Sequence, residues 1–197
     1  MNSTLTESTR SQRLKAATHE AHDRLDKRIM AAQPFARREH YGRFLQVQYC
    51  FHGDMEGYFL SPVLSSLIPE LAERRRLAQI QADLADLRVP VPETEVLVGD
   101  YGNHVVGLGW LYVAEGSNLG AAILLKQAAT LGLDEHFGAR HLAGHPDGRG
   151  RHWREFTAAL DRLVLAPNQE LAVIEAACQA FDRVRAHVER YMPIVVQ

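Results

Sequence analysis

Apolar residues recur at three- and four-residue steps along nearly the whole chain, and that period confines it to packed helices. Leu14, Ala17, Ala21, Leu25 and Ile29 mark a first amphipathic helix, because residues so spaced share one face. Ser8, Thr9 or Ser11 is placed to cap its start. Phe44, Val47, Phe51, Met55 and Phe59 mark a second helix, which Pro62 is expected to stop. Leu71, Leu77, Ile80, Leu84 and Leu87 mark a third. Residues 105–131 read as a helix interrupted around its glycines, and Phe156, Leu160 and Leu163 as a short one. Asn168 is expected to cap a long last helix through Ala172, Ala176, Ala180, Val184 and Val188. The only strand-like hint, "VLV" in the proline-bearing loop "RVPVPETEVLVGDYGN", is too short to found a sheet. The expected fold is all-α, a single-domain helical bundle over residues 11–197 after a flexible stretch 1–10.

At 197 residues and 46% hydrophobic content, one sizeable core fits the chain. A net charge of -2 argues against nucleic acid as a partner, since phosphate binding needs a basic excess. Cys50 and Cys178 form no C-x-x-C motif, which fits reduced thiols in the cytoplasm. "MNSTLTESTR" has no apolar core of an export signal, and no run reaches the ~18 apolar residues of a membrane span. No apolar surface stripe is left unassigned, so a monomer is expected.

The most apolar run also holds the strangest choice of residues. In "YVAEGSNLGAAILLKQAA", Gly116 and Gly120 lie four apart on the face that carries Tyr112. Each costs roughly 1 kcal/mol against alanine in a helix interior. Two readings compete: a seam for close helix packing, as Gly53 and Gly57 also suggest, or a bare floor for a wide, flat ligand. The polar Ser117 and Asn118 between the glycines favour the floor, because a packing seam has no use for them.

On the first helix, Lys15 and His22 stand seven residues apart, on one face and about 10.5 Å apart along the axis. Thr18 or His19, and Leu25 or Asp26, complete the stripe. That spacing resembles the span from a haem iron to its propionate tips, and an imidazole is a good axial ligand while an ammonium neutralises a propionate. The ordinary reading, a half-buried His22 and a solvated Lys15, stays open at this point. "THEAHD" lacks the histidine at position 23 that a zinc H-E-x-x-H helix needs. Gln48 and His52, four apart in an apolar helix, either bond each other or hold water. His141 and His145 fall in a glycine-rich connection, where metal binding is the lesser reading.

Five stretches, "RLKAATHEAHDRLD", "FLQVQYCFHGD", "GWLYVAEGSNLGAAILLK", "FGARHLAGHPDGRGRHW" and "AFDRV", together resemble the bacterial haem oxygenases in order and spacing. The resemblance implies that His22, rather than His19, is the axial ligand of haem iron, and that Gly116, Ser117, Asn118 and Gly120 form a kinked distal helix. It implies that Lys15 and Tyr112 hold the propionates, and that Gln48, His52 and Arg76 organise distal water. Phe181 matches an aromatic of the pocket wall, and Asp26 lies beside the ligand histidine. The implied reaction takes haem b as both substrate and cofactor, with O2 and electrons from an external reductase or ferredoxin. Biliverdin, expected to be the IXα isomer, would leave with CO and Fe2+. A glycine floor fits that chemistry because it places no proton-donating side chain over the oxygen. The alternative is a haem carrier or sensor without turnover, and a more distant one is a helical interaction module.

Overall fold

The computed structural model describes residues 8–93 and 101–194. "VLV" therefore lies outside the described residues. Among them the chain forms seven α-helices, two short 3-10 turns and no strand. The helices are α1 (Arg10–Ala31), α2 (Arg38–Phe59), α3 (Pro62–Leu67), α4 (Leu77–Asp86), α5 (His104–Ala129), α6 (Arg149–Arg162) and α7 (Pro167–Tyr191). One contiguous hydrophobic cluster runs from Leu14 to Met192.

Ordered structure begins earlier than residue 11. Thr9 caps α1 by accepting from the Gln12 amide at 3.3 Å, while Gln12 accepts from the Thr9 amide at 3.0 Å. Arg10 is buried against the carbonyls of Leu160 and Leu163 and pairs with Glu170 at 2.5 Å. At its other end α1 pairs Arg28 with Glu189 at 2.9 Å, so α1 and α7 run side by side in the same direction.

Several expected boundaries move. Pro62 does not simply stop α2: Ser61 caps a new helix, and proline is its first residue, where a missing N–H costs nothing. Leu71 belongs to a 3-10 turn, Leu71–Arg74, ahead of α4. Asn168 does not cap α7. The chain enters at Ala166 and Pro167, and Gln169 caps the Ala166 amide with its side-chain oxygen at 2.9 Å. The glycine-rich connection contributes a second 3-10 turn, Arg140–Leu142, and its end already belongs to α6.

The expected interruption of α5 is absent. Asn103 accepts from the Val106 amide, and the helix then runs unbroken through Gly116 and Gly120 to Ala129. Two glycines cost about 2 kcal/mol, less than cooperative hydrogen bonding and tertiary packing return over 26 residues. By length and composition α5 is apolar enough to cross a membrane, which the sequence reading did not anticipate. Here it serves as the central core helix, with Leu108, Leu111 and Ala114 buried. A Cβ on Gly109 would stand 2.4 Å from the Val173 carbonyl oxygen and 2.8 Å from the Ala176 Cβ. Glycine at that position lets α5 and α7 approach backbone to backbone. Asp54 ties α2 to α7 by accepting from His187 and Arg183, each at 2.7 Å.

Candidate functional site

His22 projects from α1 with its side chain 66% exposed, and Phe181 of α7 meets its ring edge-on at 6.1 Å. Asp23 lies 3.6 Å from the imidazole. Lys15 and Asp26 are exposed, and among the described residues neither has an ion-pair partner. An unpaired ammonium two turns from an open imidazole is what a ligand with remote carboxylates requires.

Tyr112 marks where the two sides of the site meet. Its hydroxyl lies beside Thr18, one turn before His22, while Tyr112 itself lies one turn before Gly116. Burial pushes the phenol above its ordinary range, so it acts as a neutral donor. Thr18 passes its own hydroxyl proton back to Leu14 at 2.8 Å. Beyond that point His22 stands exposed on α1 and Gly120 on α5.

A Cβ on Gly120 would meet nothing within 4 Å, and one on Gly116 only the Trp153 ring, at 3.8 Å. These two glycines therefore serve no packing seam, unlike Gly107, whose Cβ would strike Leu64 and Tyr58, and Gly109. Of the α2 pair, Gly57 packs under Tyr101 while Gly53 meets nothing. Ser117 turns its hydroxyl back to the Ala114 carbonyl at 2.7 Å, so it does not point outward as a donor. The half-buried Asn118 offers its carbonyl to Arg149 at 3.1 Å. Trp153, which the sequence reading passed over, covers Gly116 from the side and lies 5.7 Å from the Tyr112 ring.

Behind the glycines, Arg76, Asn118, Arg149, His145 and His152 surround a cavity of about 10 Å³, the size of one water molecule. Arg76 opens α4 at its N-terminal end, and its Nε is buried without a hydrogen-bond partner. His52 is buried, with Nδ1 unpartnered; no bond to Gln48 is found among the described residues. Burial, reinforced by the charges of His141 and Arg76, pushes the His52 imidazole down to about 3. It is neutral at working pH. Gln48 is half-buried on the same face of α2.

Sequence reasoning missed the network that fixes this wall. Arg74, fully buried, pairs with Glu115 at 2.5 Å, places Nη1 3.4 Å from Nδ1 of His152, and lies over the Phe156 ring. Burial raises the Glu115 carboxyl, and the Arg74 guanidinium works against that shift. A lone carboxylate inside the apolar α5 run was the available signal, because a buried carboxylate demands a cationic partner. The three consecutive arginines hid which one answered. His141 bonds Asp83 through both its Nδ1 and its amide, at 2.8 and 3.0 Å, while its buried Nε2 has no hydrogen-bond partner. Burial alone would raise Asp83, yet those bonds outweigh it and hold the carboxyl below the ordinary range.

Residues 8–190 match the Heme oxygenase family model. The chain belongs to the heme oxygenase family. It is 44% identical over 182 residues to "Heme oxygenase PigA" of Pseudomonas aeruginosa, covering 92% of each chain. Its fold superimposes on the NO- and CO-bound heme oxygenase of Neisseria meningitidis with a TM-score of 0.86 and 39% identity, over 96% of this chain and 94% of the other. The heme oxygenase of Leptospira interrogans, at 18% identity and a TM-score of 0.75 over 93% of this chain and 100% of the other, shares the fold. Heme oxygenase membership makes this an oxidoreductase that degrades haem, which sets aside the carrier, sensor and interaction-module readings.

Proposed function

We propose that this heme oxygenase grips haem between His22, as the axial ligand of the iron, and the bare α5 backbone at Gly116–Gly120. The observation that carries the reading is the open space over Gly120, where a Cβ would touch nothing within 4 Å. Lys15 and the Tyr112 hydroxyl hold the propionates, Asp26 flanks the ligand helix, and Phe181 braces the imidazole edge-on at 6.1 Å. Haem b, when bound, supplies the iron that activates O2 and the ring that is cleaved to biliverdin, CO and Fe2+.

The chain's share of the work is to admit oxygen and withhold acid. Over the distal face it presents main chain, and the Ser117 proton is already committed to Ala114. His52 is neutral at working pH and donates no proton directly. Protons arrive instead through water held among Gln48, His52 and Arg76. Asn118 and the amides near Gly116 and Gly120 complete that polar wall. Electrons come from an external reductase or ferredoxin, a transient partner, and the enzyme works as a cytoplasmic monomer that binds neither nucleic acid nor membrane.

Seating by Lys15 and Tyr112 directs cleavage to the alpha meso carbon. Incubating the haem complex with ascorbate or a reductase and O2 tests the whole reading. Loss of the Soret band with growth of bile-pigment absorption is expected, with the IXα isomer dominant on separation. A persistent haem spectrum overturns the mechanism, and a dominant beta or delta isomer overturns the seating. His22→Ala is expected to lose imidazole ligation and turnover together.

A further inference from the structure

The connection between α5 and α6 brings together three side chains that haem cleavage does not use. His145, between Gly144 and Gly148, stacks on His152 of α6 with ring centroids 4.3 Å apart and planes within 8°. Glu70, just ahead of the Leu71–Arg74 turn, reaches the same point. One ligand atom each from Glu70, His145 and His152 lies within 4.8 Å of the others.

His152 supplies the second, independent observation. It is only 4% exposed, and its Nε2 is buried with no hydrogen-bond partner while Nδ1 faces Arg74. Buried imidazole nitrogens are rarely left unpaired. The Nδ1 of His145 accepts from the Asp147 amide at 3.2 Å, which leaves its Nε2 free as well. Two imidazoles and one carboxylate form a donor set suited to first-row divalent cations, Fe2+ in particular when further positions stay open.

We propose that Glu70, His145 and His152 form a first-row divalent-cation site on the back wall of the distal pocket, and that the Fe2+ released by haem cleavage is its cargo. The identity of the cargo rests on the haem-cleavage reading; the site itself does not. His145 and His152 line the same small cavity as Arg76 and Asn118, so the site adjoins the distal wall. Arg74 is neutralised by Glu115, and Arg151 is held by Glu155 at 2.8 Å, which leaves Glu70 available. Arg76 and Arg149 add uncompensated positive charge nearby and weaken the site, which suits passage of iron rather than storage. Donors around a metal at about 2.1 Å stand closer together than these. Glu70, exposed, and His145, flanked by glycines, close the difference by moving inward and unstacking the rings.

Titrating tag-free, haem-free protein with Co2+ tests the site. Saturable visible bands at one equivalent are expected, and Glu70→Gln or His145→Ala is expected to weaken binding at least ~10-fold with unchanged circular dichroism and melting temperature. Absence of saturable bands, or bands unaltered in both variants, overturns the site. His152 is left intact because it also supports Arg74. For the cargo, capture of iron by a ferrous chelator after a single turnover is expected to show a slow phase that Glu70→Gln abolishes. One release rate shared by wild type and variant overturns the cargo assignment, as does absence of bile pigment, while the Co2+ result stands by itself.

Discussion

Replacing Gly120 with alanine is expected to make the haem-free protein more stable and the enzyme worse. A glycine in a helix interior costs about 0.5–1 kcal/mol against alanine. At Gly120 the added methyl meets nothing within 4 Å, so that gain is not offset by strain. For a chain of this size, 1 kcal/mol corresponds to about 2–4 °C in melting temperature. The same substitution at Gly109 must do the opposite. There the methyl lands 2.4 Å from a carbonyl oxygen of α7 and 2.8 Å from the Ala176 Cβ, neither of which can swing aside. Overpacking of that kind costs about 1–3 kcal/mol, more than the propensity returns. Thermal unfolding of the two haem-free variants, followed by far-ultraviolet circular dichroism, gives both signs. Haem turnover by Gly120→Ala is expected to fall on the order of 10- to 100-fold, since in the proposed seating the methyl would occupy the space of ring and oxygen. A Gly120→Ala variant with wild-type turnover would place the reacting face elsewhere. A Gly109→Ala variant as stabilised as Gly120→Ala would refute the distinction between open and packed glycines.

Two further outcomes concern the wall behind the site. Glu115→Leu leaves the fully buried Arg74 charge uncompensated and is expected to cost about 3–5 kcal/mol in urea unfolding, whereas Arg74→Met combined with Glu115→Leu recovers most of it. A single variant as stable as wild type would mean that the pair carries no structural weight. Stability is also expected to fall as pH drops below about 6.5. His52, pushed down to about 3 by burial, stays neutral in the folded chain while the unfolded chain takes up a proton. That uptake favours unfolding by up to about 1.4 kcal/mol per pH unit until the folded histidine titrates. His152, pushed down to about 4 by burial and the Arg74 charge, acts in the same direction. Urea midpoints measured across that range should slope less steeply in His52→Gln, and equal slopes would remove His52 as the cause.

The parts of the fold legible in the sequence are those governed by local period and local chemistry. The stripes through Leu14–Ile29 and Phe44–Phe59 became α1 and α2, although the buried line of α1 runs through Leu14, Thr18 and Leu25 and leaves Ala17 exposed. Thr9 was among the expected caps and does cap α1. Errors arose where one local rule had a competitor. Asn168 is a good capping residue, yet Pro167 beside it is better placed at a first helical position, and Gln169 supplies the cap from inside. The glycines of α5 argued for a break, but the surrounding helix is long and well packed enough to absorb them.

The candidate site divides along the same line. Tyr112, Gly116 and Gly120 share a face by arithmetic, and so do Lys15, His22 and Asp26, so each helix could be read alone. What no spacing reveals is the partner across the gap. Gly107 and Gly109 sit in the same helix as Gly116 and Gly120, and all four are equally glycine to any propensity scale. They differ in what stands opposite: a carbonyl and an alanine of α7, a leucine and a tyrosine, or open space. That difference is set by residues sixty or more positions away for Gly109, and more than forty away for Gly107. Arg74, Glu115 and His152 were hidden for the same reason, because a buried charge names the kind of partner it needs and not its address. The functional reading therefore turns on a tertiary fact, that two of four glycines in one helix have nothing packed against them but the side of an indole.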